Sequence, residues 1–280
     1  LIRIWPEIFN PIHCNNTHVL LNKRRSIFFD LFLASWRLYK FVKLKNITAI
    51  NSNLFWANYI NVFISLFIGH KTICTHCVSF ESKFRKFSVV GIFHYFLTKI
   101  LLSKADVHTY KSKDMMIEYK ERFKLSKGRV IYNPFDDQII DKSKEEASFK
   151  FDPCLKYVLC VGRFHQTKNQ ISLINAIDRL PKDMHFIFLG DGPELKKCKN
   201  RCEDLELISR VHFLGRIENP YPFYKNCDYY FSGSFSEGFP NALIEAIALG
   251  CFPIHMDSKT GPSEIMSCFY KIKPFIQFLF

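Results

Sequence analysis

Two carboxylates and two cations carry the densest chemistry in this 280-residue chain. The carboxylates lie in Ser236-Glu-Gly-Phe-Pro-Asn-Ala-Leu-Ile-Glu-Ala-Ile-Ala-Leu-Gly250. Gly238 and Pro240 suit a tight turn into a helix, and Gly250 is positioned to end it. Between them Ala242, Leu243, Ile244, Ala246, Ile247, Ala248 and Leu249 are apolar all round, which predicts a buried helix with Glu245 as its only charge. Such a carboxylate needs a cation or several hydrogen-bond donors. Ligand hydroxyls meet that need, and so does a buried ion pair with an Arg or Lys. Glu237 sits just before the helix, whose free N–H groups and positive dipole end favour a phosphate. An acid beside an anion site suits a second task, accepting hydrogen bonds from sugar hydroxyls.

The cations lie in Val161-Gly-Arg-Phe-His-Gln-Thr-Lys-Asn169, a strand running into a loop and then a helix. Gly162 permits close backbone approach, and Arg163 and Lys168 stand at the C-terminal edge of a sheet, where α/β proteins bind ligands. Two converging cations suit a diphosphate leaving group. A surface Arg and Lys without a role is the plain alternative.

Alternating segments must position these groups. Helices are expected over 27–45, 54–68, 89–103 and 113–124, with strands at 48–51, 71–75, 105–109 and 129–132. Beyond them strands are expected near 157–161, 185–189, 211–214, 228–231 and 252–255, and helices near 168–180, 193–206 and 240–249. Alternation of this kind predicts parallel sheets flanked by helices. Residues 134–156 carry clustered charges, Pro134 and Pro153 without apolar periodicity, and read as a linker. The expected organisation is a partial N-terminal domain over 1–133, the linker, and a partial C-terminal domain over 157–280.

With Glu237 and Glu245 separated by seven residues, Glu-Gly-Phe-Pro-Asn-Ala-Leu-Ile-Glu-Ala resembles the E-x7-E motif of family 4 retaining glycosyltransferases. Gly162-Arg163 with Lys168-Asn169 resembles that family's Gly-Arg…Lys-Asn signature. Further segments follow in the family's order: Phe188-Leu-Gly-Asp-Gly-Pro-Glu194, Val211-His-Phe-Leu-Gly215 and Gly261-Pro-Ser-Glu264. The resemblance spans roughly 45–265 and implies the GT-B fold, two Rossmann-like domains facing a cleft, both incomplete here. It implies that Glu237 contacts the donor sugar, that Glu245 contacts the nucleotide ribose, and that the turn Gly238, Phe239, Pro240, Asn241 holds the diphosphate. Arg163 and Lys168 then neutralise the departing nucleoside diphosphate beside Gly162. His76, closing the strand before Cys77, matches a family His facing the cleft, although a core or surface His fits the sequence equally.

The implied activity is transfer of a hexose or N-acetylhexosamine, with UDP the expected nucleotide, to a lipid-linked or polysaccharide acceptor in surface polysaccharide or lipopolysaccharide biosynthesis. No metal or other cofactor is required for that role. An inactive sugar-nucleotide or glycan-binding remnant and a GT-B-type sugar-nucleotide epimerase are the alternatives. The chain opens on Leu1, and few residues follow Glu264, so it reads as truncated at both ends.

Residues 1–150 hold 24 basic and 12 acidic side chains, the remainder 15 and 14. An excess confined to one half implies an anionic partner. An anionic membrane surface is expected, because Lys23, Arg24, Arg25, Arg37, Lys40, Lys43 and Lys45 interleave with Trp36, Tyr39 and Phe41, although aromatics facing the domain core fit the same pattern equally. Nucleic acid has only net charge in its favour. The ten cysteines are scattered and read as reduced core residues of a cytosolic protein, and Cys74-Thr-His-Cys77 lacks the second ligand pair a zinc site needs. The long uncharged stretch 46–70 contains five asparagines, which argues for a buried strand and helix over a membrane span. The expected location is cytoplasmic, peripheral at the inner face of the plasma membrane.

Overall fold

A computed structural model describes residues 2–3, 18–19, 26–84, 88–135, 138–258 and 260–270. Two units divide the chain, Leu1–Lys111 with Met115–Ile131, and Ser112–Asp114 with Tyr132–Phe280.

In the first unit β1 (Ile2–Arg3) and β2 (His18–Val19) pair in parallel. The main elements are α1 (Ile27–Leu44), β3 (Ala49–Asn53), α2 (Phe55–Ile68), β4 (Lys71–His76), α3 (Phe80–Lys83), α4 (Val89–Leu101), β5 (Val107–Tyr110), α5 (Lys113–Phe123) and β6 (Gly128–Val130). The four longer strands lie in sequential order β3-β4-β5-β6, all parallel. Right-handed crossovers between successive neighbours carry their helices to a single face. There α2 and α5 bury Tyr59, Val62, Met115, Tyr119 and Phe123 against Cys74 and Tyr110. The asparagines of α2 donate to the sheet: Asn58 Nδ2 to the Thr75 carbonyl at 3.1 Å and Asn61 Nδ2 to the Ile50 carbonyl at 3.1 Å. Among the described residues no helix is long and apolar enough to cross a membrane.

The second unit contains α6 (Ile139–Lys142), β7 (Lys156–Val161), α7 (Gln170–Ala176), β8 (Met184–Leu189), α8 (Leu195–Asp204), β9 (Val211–Gly215), α9 (Tyr221–Asn226), β10 (Tyr229–Ser232), α10 (Asn241–Ala248), β11 (Phe252–His255) and α11 (Pro262–Tyr270). Its parallel sheet runs β11-β10-β7-β8-β9. Alternate residues of β7 and β8 feed two cores, Val158, Cys160, Phe186 and Phe188 on one face and Tyr157, Leu159, Ile187 and Leu189 on the other. Burial on both faces explains why these strands are continuously apolar.

Three sequence expectations change. The segment 134–156 is not a free connector: it belongs to the second unit, where Phe149 and Phe151 pack edge-on against Tyr157 at 5.9 and 5.0 Å and Ile139 is buried. The expected helix 168–180 breaks, because Asn169 adopts a left-handed conformation (φ 52°) between a 3-10 turn at Gln166–Lys168 and α7. And α10 is not buried all round. Only Leu243 and Ala246 are buried, leaving Glu245 half-buried.

Candidate active site

The strand order places a topological switch point between β7, which leads toward β8 on one side, and β10, which leads toward β11 on the other. Open α/β sheets bind ligands just beyond the strand C-termini at such a point, where the following loops part. The loop after β7 carries Gly162, Arg163 and Lys168. The loop after β10 carries Glu237.

These loops are tied to each other by their backbones. Phe235 N donates to the Thr167 carbonyl at 2.9 Å, and Ser234 Oγ donates to the same oxygen at 3.1 Å. A third loop, after β11, closes on them. The Thr260 hydroxyl donates to the Glu237 carbonyl, and Gly261 (φ 85°) packs so tightly that a Cβ there would approach the Gly238 carbonyl oxygen to 2.7 Å. The β8 end is equally close: a Cβ on Gly190 would lie 2.1 Å from the Gly162 carbonyl oxygen. Glycine at these positions is a steric requirement of the convergence.

Within this frame Lys168 Nζ lies 2.5 Å from Glu237 Oε1, with the Glu237 side chain 12% exposed and that of Lys168 32%. The pair resolves the oddity of an acid beside an anion site, since the acid sits against a cation. Arg163 is exposed, and its carbonyl accepts from Gln170 Nε2 at 3.1 Å. Gly238 and Phe239 form the half-buried turn, Pro240 is buried, and Asn241 starts α10 with its Oδ1 accepting from Asn133 Nδ2 at 2.7 Å. Phe239 packs on Tyr132, ring centroids 4.9 Å apart.

Glu245 follows in the second turn of α10. It lines a cavity of about 130 Å3 with Pro134, Phe135, Ile139, Tyr221, Asn241 and Ile244. Its neighbour beneath is the fully buried Tyr224, whose phenol is held well above its ordinary pKa by burial first and by the Glu245 charge second.

His76 lies in the core of the first unit, on the helix-covered face of its sheet. It is 3% exposed, stacked on Tyr110 at 4.9 Å, packed on Tyr119 at 4.2 Å, and its Nε2 meets His108 Nδ1 at 3.1 Å. Burial, reinforced by His108, holds its pKa well below the ordinary imidazole value. The expectation of a cleft-facing His76 is corrected: β4 turns this side chain toward the same face as Cys74, so alternation alone directs it inward.

A histidine that the sequence reading did not single out, His255, closes β11 instead. It is 2% exposed, its Nδ1 donates to the Met256 carbonyl at 2.6 Å, and its Nε2 is buried without a partner. Burial lowers its pKa most, and the charges of Glu237 and Lys168 act on it in opposite directions. Its strand-end position was the available signal.

Residues 141–270 match the family described as glycosyl transferases group 1. They form a glycosyltransferase group 1 domain. All of Arg163, Lys168, Glu237 and Glu245 fall inside it. The chain is 31% identical over 213 residues to the N-acetylgalactosamine-N,N'-diacetylbacillosaminyl-diphospho-undecaprenol 4-alpha-N-acetylgalactosaminyltransferase of Campylobacter jejuni, covering 74% of this chain and 57% of that protein. It is 27% identical over 251 residues to the capsular polysaccharide biosynthesis glycosyltransferase CapH of Staphylococcus aureus, covering 82% and 66%. The chain thus spans about half to two thirds of the length of these curated relatives. Among solved structures, Anabaena HepE in complex with UDP-glucose superposes with a TM-score of 0.72 at 18% identity, over 89% of this chain and 69% of that one. Sucrose-phosphate synthase from Thermosynechococcus elongatus gives 0.72 at 19%, over 92% and 69%. The fold around the group 1 domain is that of GT-B glycosyltransferases, with two parallel-sheet α/β domains.

Proposed function

We propose that this chain is the donor-binding part of a family 4 retaining glycosyltransferase, using the E-x7-E motif, that moves a hexose or N-acetylhexosamine from a UDP-linked donor to a lipid-linked or polysaccharide acceptor in surface glycan biosynthesis. The observation that carries this reading is the Lys168–Glu237 pair at the switch point of the second sheet. A sugar diphosphate offers both members a partner, phosphate oxygens for Lys168 and hydroxyls for Glu237. Arg163, exposed on the same loop, adds a second cation for the leaving diphosphate, whose developing charge is then met by fixed side chains and needs no metal for that purpose. Glu245, beside its small cavity, receives the ribose hydroxyls, and the turn from Gly238 to Asn241 cradles the diphosphate with its backbone. His76 is left out of this set as a core residue.

The relatives named for capsule and undecaprenol-linked synthesis support an acceptor carried on a membrane, and with it an enzyme peripheral to the inner face of the plasma membrane. Incubating the protein with a panel of sugar nucleotides and a polyprenol-diphosphate glycan tests the reading. Transfer with the anomeric configuration kept, read by NMR of the product, is the expected result. Binding of UDP without transfer indicates the binding remnant, and interconversion of free sugar nucleotides indicates the epimerase.

A further inference from the structure

Three helices of the first unit carry large apolar side chains on their outward faces as well as on the faces that pack inward. On α4, Val89, Phe93, Phe96 and Ile100 recur every three or four residues and are 83, 48, 54 and 62% exposed, while His94 and Thr98 of the same helix are buried. On α2, Phe63 and Phe67 are exposed and stack edge-on at 5.3 Å, while Asn58 and Asn61 are buried. On α1, Phe29, Phe32 and Trp36 are exposed and Asp30 is buried. Polar groups inside and aromatic groups outside are the reverse of what water selects.

These stripes are neighbours. Leu38 and Val42 of α1 pack with Ile60 and Ile64 of α2. Trp56 of α2 meets Phe93 of α4 at 6.3 Å between ring centroids, and the Tyr59 and Thr98 hydroxyls hydrogen-bond at 2.8 Å. An apolar face built from three adjacent helices marks an interaction site.

Charge selects the occupant. Among α1, α2 and α4 the single acidic residue is the buried Asp30, whereas Arg37, Lys40, Lys43 and Lys99 are all exposed. Lys40 Nζ stands 3.7 Å over the Trp36 ring, so cation and aromatic share one surface. A second copy of this face would set cations against cations. An anionic bilayer offers acyl chains to the rings and phosphates to the cations at the same depth.

We propose that α1, α2 and α4 form a docking face that lies in the headgroup region of an anionic phospholipid bilayer, with the exposed aromatic side chains of all three helices reaching the acyl chains. The proposal rests on the peripheral-membrane part of the reading above and is independent of its catalytic part. It moves the attachment from the basic stretch 23–45, of which residues 23–25 lie outside the described residues, to a three-helix surface.

Vesicle sedimentation tests it, with phosphatidylcholine alone and with phosphatidylglycerol added, at low and high salt. The wild-type chain binds the anionic vesicles and keeps part of its binding in high salt. Phe93→Ser with Phe96→Ser lowers binding about tenfold or more at either salt, while circular-dichroism melting falls only modestly because both rings are about half exposed and Phe93 also touches Trp56. Arg37→Ala with Lys40→Ala weakens binding at low salt only. Trp36 emission is quenched by lipids brominated on their acyl chains, and Trp36→Phe removes that quenching. Wild-type binding that the phenylalanine variants retain in full overturns this face while leaving membrane attachment standing. No wild-type binding to either vesicle overturns both. Self-association that the phenylalanine variants abolish, without vesicle binding, assigns the face to a protein partner and overturns the proposal.

Discussion

Each unit closes a parallel strand on a buried histidine, and the two meet different company. His76, at the end of β4, is enclosed by Tyr110, Tyr119 and His108. His255, at the end of β11, has an unpartnered nitrogen and feels the charges of Glu237 and Lys168. The same residue type at the same place on the same kind of strand is core in one sheet and site wall in the other. The switch point makes the difference: it spreads the loops after β7, β10 and β11 so that charged groups gather there, whereas among the described residues the sequential sheet β3-β4-β5-β6 shows no such parting.

The sharpest break of this contrast is Lys168→Ala. Removing one charge-assisted contact of roughly 1.5 to 3 kcal/mol or more lowers transfer about ten- to a thousand-fold, measured in a preparation first shown to be active. Melting should fall as well, because the 12%-exposed Glu237 carboxylate loses its cation, so transfer is compared well below the melting temperature of the variant. Full activity would remove Lys168 from the site and with it the distinction between the two sheets.

Acid separates the units next. Among the described residues four deeply buried histidines, His70, His76, His94 and His108, lie in the first unit against His255 in the second, where His185 and His212, also lowered, are only partly buried. Each has a lowered pKa, chiefly from burial. His108 is held at about 4. Between that value and the ordinary 6.5 or so, the unfolded chain binds more protons, so stability is intact above about 6.5 and falls as pH drops toward 4. A shift of that size corresponds to about 3 kcal/mol for His108. Hydrogen exchange at pH 7 and pH 4.5 should show the first unit losing protection before the second, and equal loss in both would contradict the asymmetry.

Substituting the two histidines individually is a finer probe. His76→Asn costs roughly 1 to 3 kcal/mol of stability by disturbing packed rings. His255→Asn is expected to lower transfer several-fold with a smaller change in melting. The reverse pattern would exchange the roles assigned to them.

Much of this was legible before the structure, for a physical reason. Continuous apolar strands such as 184–189 and glycines flanked by motif residues report local requirements, and local requirements are written locally. The Arg163–Lys168 loop and the Glu237 turn were found that way. What escaped depends on partners distant in sequence. Nothing near Glu237 announces Lys168, 69 positions away, as its partner. The pairing of Phe149 and Phe151 with Tyr157 could have been suspected from their alternation, but clustered charges masked it. α9 and α11 are short and sit beside prolines, so they gave no sustained period.

The smallest expected effect concerns Glu245 and decides between the two answers to its half-buried charge. If ribose hydroxyls use this carboxylate, Glu245→Gln keeps the shape, loses the charge-assisted acceptor, and weakens UDP binding about tenfold, or about 1.4 kcal/mol. If instead the carboxylate serves the fold through its buried neighbour Tyr224, the amide disturbs that contact and the melting temperature falls while UDP affinity holds. Calorimetric UDP titration and thermal melting of the same variant separate the two. The cavity beside Glu245, lined by Asn241 and Tyr221 as well as by apolar side chains, favours the first outcome, since a packed structural carboxylate would have no reason to border open space.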